Sequence, residues 1–278
     1  MIKEYRNGLD FIKENSAFLD ENKYMSILFY IDAKVLNEVN NKNYCLKAEN
    51  NNYQLLAIKV EPYNLCLYGD KECLEELLLF IENSNYELDG IMCPTIIGQK
   101  LLEVRNNYFQ EIGMDFMEAS KYIKPSSKKV IKATYEDIDT IYNYFECFLK
   151  ECGLHDKPNK DNIIKNIDRF RIIKEDGIIV SMAACSMENS ESCRITHVYT
   201  NPSYRNRGYA KEVVNYIKNE ILDKGLIATL NVDQKNPISN HVYASLGFKK
   251  VFSQGVYSKT KKGNWLLWKT LEIYLILI

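Results

Sequence analysis

Over 278 residues, 46% hydrophobic and 12% aromatic, the chain has enough apolar material for two domain-sized cores. Its 36 basic and 37 acidic residues leave a net charge of −1, which argues against the broad basic face that a nucleic-acid partner needs. Eight cysteines with no CxxC pair and three scattered histidines draw no metal constellation, so no metal is expected. Reduced core thiols and no signal peptide point to the cytoplasm, and abundant Asn, Lys, Ile and Tyr suggest an AT-rich bacterial genome.

In chain order, Leu55 to Val60 and Asn64 to Tyr68 read as strands, and Lys71 to Glu82 as a helix. Leu88 to Cys93 is a predicted strand, Thr95 to Arg105 a helix and Met114 to Met117 a strand. The polar, proline-bearing stretch Lys124 to Lys129 reads as a linker and divides the chain near Pro125. Beyond it come a strand at Val130 to Ala133, a helix from about Glu136 to Glu151, and a short helix near Asp161 to Phe170. A hairpin joins Arg171 to Lys174 with Ile178 to Cys185 through Asp176 and Gly177. Arg194 to Thr200 is β-branched and aromatic, as a strand should be, and Asn201 and Pro202 stop it. Ala210, Val213, Val214, Ile217 and Ile221 then recur at helical spacing. Leu226 to Val232 is a further strand, and a last one lies near Phe248 to Ser258.

The segment Val198 to Ala210, VYTNPSYRNRGYA, places Arg205, Arg207 and Gly208 where a strand gives way to a helix. The first N–H groups of a helix have no internal partner and sit at the positive end of the dipole, so they bind an anion. The arginines add charge, and Gly208 has no Cβ to hold phosphate oxygens away. Spacing alone shows an anion site. Downstream stand Asn236, Ser239, Tyr243, Gly247 and Phe248.

Together, R-x-x-G-x-A and N-x-x-S-x-x-x-Y-x-x-x-G-F resemble the coenzyme A signature of the GNAT N-acetyltransferase superfamily, over roughly Val130 to Ser258. The resemblance implies an α/β fold, a mixed sheet with helices on both sides. The repeated element order suggests a tandem pair: a degenerate GNAT-like domain over 1–125, and over 126–259 an acetyltransferase domain that binds acetyl-CoA. In the first half Gly69, Asp70 and Lys71 replace the phosphate loop and put a carboxylate where the anion would sit. No cofactor is expected there; that half is read as a wall of the acceptor cleft.

Carried onto this chain, the resemblance assigns the cofactor to Val198, Tyr199, Thr200, Arg205, Asn206, Arg207, Gly208, Tyr209 and Ala210, with Asn236 as a side-chain contact and Ser239 as a helix cap near it. A backbone N–H at Val198 or Tyr199 polarises the thioester carbonyl. Tyr243 matches the family's general-acid tyrosine, and a phenol suits a departing thiolate; the competing role is packing a helix on the sheet. The strand carries no glutamate base. His197 is the candidate base against a structural histidine, and Asp233 is a second candidate against a turn residue.

The expected reaction is transfer of an acetyl group to a primary amine, small-molecule or peptide, by direct attack. The alternative is a module that senses acyl-CoA without turnover. At fourteen residues, the apolar run Trp265 to Ile278 is too short for a membrane span; residues 260–278 are read as an extension docked on the protein as a strand or helix, against a contact with a partner or a membrane surface. No integral membrane segment is expected, and the protein is read as a monomer or homodimer.

Overall fold

The computed structural model describes residues 1–126, 129–151, 157–187 and 190–259. The chain is mixed α/β and divides into two compact units. One comprises Met1–Met114 with the segment from Ser253, and the other Asp115–Phe252. The apolar C-terminal run lies outside the described residues.

The first unit opens with β1 (Ile2–Glu4), α1 (Gly8–Leu19) and α2 (Lys23–Val35), none of which the sequence patterns had marked. Side chains of Asn7 and Asn22 cap the two helices by accepting from Asp10 N and Met25 N. Then follow β2 (Tyr44–Asn50), β3 (Tyr53–Lys59), β4 (Leu65–Gly69), α3 (Leu74–Asn83), β5 (Gly90–Pro94), α4 (Thr95–Val104) and β6 (Phe109–Ala119). β1 to β4 form an antiparallel run, β4 lies parallel to β5, and residues Gln254–Ser258 from the chain's end pair antiparallel with β5. Helix α4 sits directly on Tyr257. A Cβ at Gly98 would meet that ring at 2.0 Å, which is why a residue of low helix propensity stands in mid-helix.

The second unit is built from β7 (Ile131–Lys132), α5 (Ile138–Glu151), α6 (Lys160–Lys165), β8 (Phe170–Glu175), β9 (Ile178–Met187), β10 (Ser192–Thr200), α7 (Tyr209–Asp223), β11 (Ile227–Asp233), α8 (Pro237–Ser245) and the first part of β12 (Lys249–Ser258). Strand order is β6-β11-β10-β9-β8-β7, β6 entering from Asp115 onward. β7 to β10 run antiparallel, and β10 is parallel to β11. These elements follow the sequence expectations closely; the short helix near Asp161 ends earlier than expected, because Phe170 starts β8.

On one side of this sheet, Val213, Val214, Ile217 and Ile221 of α7 pack on Ile195, Val180, Ala228 and Leu230. The opposite side of α7 is buried too, though it is polar. Asn215 and Asn219 donate to Ile123 O, Glu212 accepts from Ser126 N, and Lys218 Nζ donates to Leu246 O at 3.0 Å. The start of the polar stretch at Lys124 therefore lies inside the second unit, bonded to α7. On the other face of the sheet, α5 begins at a capping box of Thr134 and Asp137 and buries Ile138, Ile141, Phe145 and Leu149 at three- and four-residue steps.

Candidate active site

The geometry that matters is where β10 leaves β11. Among the described residues their parallel ladder covers only Ser192–Arg194 against Ile227–Thr229, so Ile195–Thr200 and Leu230–Asp233 continue without it. The outer partner β9 stays paired through Thr200, with a register shift between Thr196 and Tyr199. The result is a strand with backbone groups freed on its β11 side, ending in a loop.

Within that loop Pro202–Tyr204 makes one 3-10 turn, which Asn201 caps by accepting from Ser203 N. Asn206 and Gly208 both have positive φ, 61° and 79°. Gly208 is the N-cap of α7 in the left-handed conformation, and Glu212 N donates to its carbonyl, closing the first helical turn. The N–H groups preceding Glu212 stand outside the helical ladder, and Arg205, Asn206, Arg207 and Gly208 are exposed. This is an accessible helix N-terminus with two arginines.

The arginines are not alike. Arg205 is tied down: Nε donates to Thr200 O at 3.0 Å, Nη2 pairs with Glu151 at 2.6 Å, and the guanidinium lies 5.6 Å from the Tyr199 ring centroid. Arg207 lies over Tyr204, 5.3 Å from its centroid. Tyr209, the first residue of α7, donates to Glu175 at 2.9 Å, and that carboxylate raises its phenol pKa. Thr200 Oγ1 is 2.9 Å from Ser181 Oγ, Val198 packs against the α7 core, and Ala210 is half-buried.

His197 lies in an enclosed place, which fits the structural alternative the sequence left open. It is 7% exposed, has a φ of 51°, and sits among Phe145, Phe148 and Phe170, the nearest ring centroid 4.2 Å away. Burial pushes its pKa down to about 4, so the ring is neutral above pH 5. Its Nδ1 is 2.8 Å from Thr196 Oγ1. Asp233, the second base candidate, is exposed and holds the β11–α8 turn: Oδ1 accepts from Lys235 N and its carbonyl from Asn240. Tyr243 is 8% exposed and joins the core cluster that also holds Tyr209, Leu246 and Phe248.

The helix cap expected at Ser239 falls to Asn236. Asn236 is the N-cap of α8 and accepts from Ser239 N at 3.0 Å, because an Asn before Pro237 carries its carbonyl oxygen within reach of the third helical N–H. Glu151, Glu175, Tyr144 and the three phenylalanines around His197 were not legible as site residues. They come from elements remote in sequence, and nothing local marks them. The loop after Glu151, residues 152–156, lies outside the described residues.

Residues 134–248 match the sequence profile of the Acetyltransferase (GNAT) family. Over residues 134–248 the chain carries a GNAT acetyltransferase domain. It is 30% identical over 159 residues to an amino-acid acetyltransferase of Aeromonas salmonicida (strain A449), an alignment that takes in 51% of this chain and 35% of that protein. The chain thus spans about a third of that relative's length. Among solved structures it resembles a GNAT-family acetyltransferase from Colwellia psychrerythraea, with a TM-score of 0.62 at 13% identity, covering 93% of this chain and 98% of that one. A GCN5-related N-acetyltransferase from Sphaerobacter thermophilus aligns with a TM-score of 0.56 at 12% identity, over 82% and 84% of the two chains. At such identities the likeness is one of fold.

The first unit repeats the element order of the second. Its β4∥β5 ladder covers only Leu65–Cys66 against Ile91–Met92. There, Met25, Leu28 and Phe29 of α2 reach Cys66, Leu67 and Cys93 and leave a cavity of about 10 Å³, room for about one water. No group of His, Cys, Asp and Glu that could hold a metal occurs among the described residues, nor does any helix long and apolar enough to cross a membrane.

Proposed function

We propose that the second unit transfers the acetyl group of acetyl-CoA to a primary amine by direct attack in a ternary complex. The observation that carries this reading is the splay of β10 from β11 running straight into the exposed N-terminus of α7. A thioester arm laid along β10 would meet its free backbone groups, and a pyrophosphate would meet the N–H groups after Gly208. Acetyl-CoA, when bound, would supply the activated acyl carbonyl of its thioester.

The chain's own residues then have distinct tasks. Arg207 and the N–H groups from Gly208 to Ala210 hold the diphosphate, with Asn206 and Tyr209 shaping the loop. Val198 or Tyr199 N–H donates a hydrogen bond to the developing oxyanion, and Thr200 fixes the strand end through Ser181. Tyr243 is the general acid for the leaving thiolate, and Asn236 with Ser239 sets the start of its helix. His197, neutral and enclosed, is not the group that takes the amine's proton; an exposed amine loses it through water. The name of the Aeromonas relative makes amino acids the first acceptors to try.

The test is incubation with acetyl-CoA and a pool of free amino acids and small amines, read by mass spectrometry for a gain of one acetyl group. An acetylated product formed by wild type, with turnover lowered about 10²-fold or more in Tyr243→Phe at unchanged acetyl-CoA affinity, is the expected result. Binding of acetyl-CoA with no acetylated product from any amine, peptide N-termini included, would favour a sensor over an enzyme.

A further inference from the structure

β10 changes faces in mid-strand. Thr196 pairs with Ala184 and Tyr199 with Met182, so His197 and Val198 together oppose the single residue Ala183. This is a β-bulge. Because side chains alternate along a strand, one extra residue moves every later side chain to the other face. Thr196 and His197 consequently both lie on the α5 face, their polar atoms 2.8 Å apart. Val198 falls on the α7 face, in contact with that core, and Tyr199 returns to the α5 face, its ring 5.1 Å from Tyr144. The phase of β10 where a thioester arm would lie, and of the loop that starts after Thr200, is set at this bulge.

A bulge needs something to hold it. The left-handed conformation at His197 is strained for a residue other than glycine and persists only where its surroundings fix it. Here they are an aromatic box, Phe145 at 4.2 Å, Phe170 at 6.1 Å and Phe148 at 6.3 Å between centroids, and the Thr196 hydroxyl. His197 Nε2 is buried without a hydrogen-bond partner. An enclosed ring spending one nitrogen on its neighbour suits a structural clamp better than a proton carrier.

We infer that His197 is a positioning residue: clamped by Phe145, Phe148, Phe170 and Thr196, it fixes the β10 bulge and so presents Val198 and Tyr199 to an acyl-CoA. The inference rests on the acetyl-CoA reading of the site. The experiment is calorimetric titration of acetyl-CoA into the full-length wild type, His197→Phe, His197→Asn and Thr196→Val, each checked for fold by circular dichroism, with backbone amide exchange followed at Val198 and Tyr199.

His197→Phe keeps an aromatic ring but loses the Thr196 bond, and is expected to weaken acetyl-CoA at least about tenfold and to speed exchange at Val198 and Tyr199. Asparagine tolerates left-handed backbone and can bond Thr196, so His197→Asn should recover affinity to within about threefold of wild type. Thr196→Val, isosteric and less disruptive, should shift affinity and exchange in the same direction as His197→Phe, and settles the matter if that variant does not fold. Between pH 5.5 and 8.5 wild type and His197→Asn should show parallel affinities. Wild-type affinity in both His197→Phe and Thr196→Val, or a pH dependence in wild type that His197→Asn abolishes, would overturn the inference alone. A wild type that does not bind acetyl-CoA would remove the site reading and the inference together.

Discussion

In the proposed acetyl-CoA site, Arg205 already has an anionic partner, and a diphosphate binding there would compete with Glu151 for it. The pair is about half exposed on both sides, 41% and 47%, so each charge remains well solvated and little energy is needed to part them. Glu151→Gln is therefore expected to tighten acetyl-CoA by about two- to fivefold at low salt, and the gain should shrink as salt rises. Titrations at two ionic strengths check it; weaker binding would mean that Glu151 holds Arg205 in its productive pose. Cys185 is a second residue-scale case. A hydrogen bond with Cys193 and the nearby Arg171 and Lys224 lower its thiol pKa, whereas burial raises those of Cys45, Cys66 and Cys93. Iodoacetamide at neutral pH should alkylate Cys185 ahead of those three, as peptide mapping over time would show.

Helix α2 shows how an element can be hidden from sequence patterns and still be built into a unit's core. Its residues KYMSILFYIDAKV are apolar around much of the helix, so no clear stripe marks it, yet Leu28 and Phe29 are buried against β4. The same helix buries Asp32, whose pKa rises to about 7 by desolvation. A carboxyl with a raised folded-state pKa favours the native state below its unfolded pKa and loses that advantage as pH climbs to 7. Asp32→Asn should accordingly stabilise the protein by about 1–3 kcal/mol at pH 8 and by progressively less as pH falls toward 4. Urea unfolding at both pH values tests this, and an equal effect at each would contradict it. By contrast α7 was legible, because Gly208 and the apolar steps from Val213 to Ile221 are local signals of cap and period. Its buried polar side was not, since Glu212, Asn215 and Asn219 find partners in the stretch 123–126, far back in sequence.

Over the whole molecule, the sequence showed two similar halves but not that strands cross between them. Residues from Ser253 complete the first unit, and residues from Asp115 give the second its β6 edge, where Phe116 stacks on Phe252 at 4.9 Å. Such pairing leaves no local trace. A chain cut before Ser126 would lose that edge and the Ile123 carbonyl that binds Asn215 and Asn219. It is expected to be poorly soluble or to melt at least about 5 °C below the intact protein. The bulge at His197 was equally invisible, since it depends on partners that only the fold supplies, whereas the cap at Asn236 rests on a local Asn-Pro signal that the resemblance had assigned to Ser239 instead.

The most direct test of the account is calorimetric titration of acetyl-CoA into the intact wild type and into Gly208→Glu, whose side chain would put bulk and negative charge into the loop at a φ of 79°. One acetyl-CoA per chain in wild type, weakened more than about tenfold in a folded Gly208→Glu, is the result predicted. No binding to wild type, or binding that the substitution leaves intact, would contradict it.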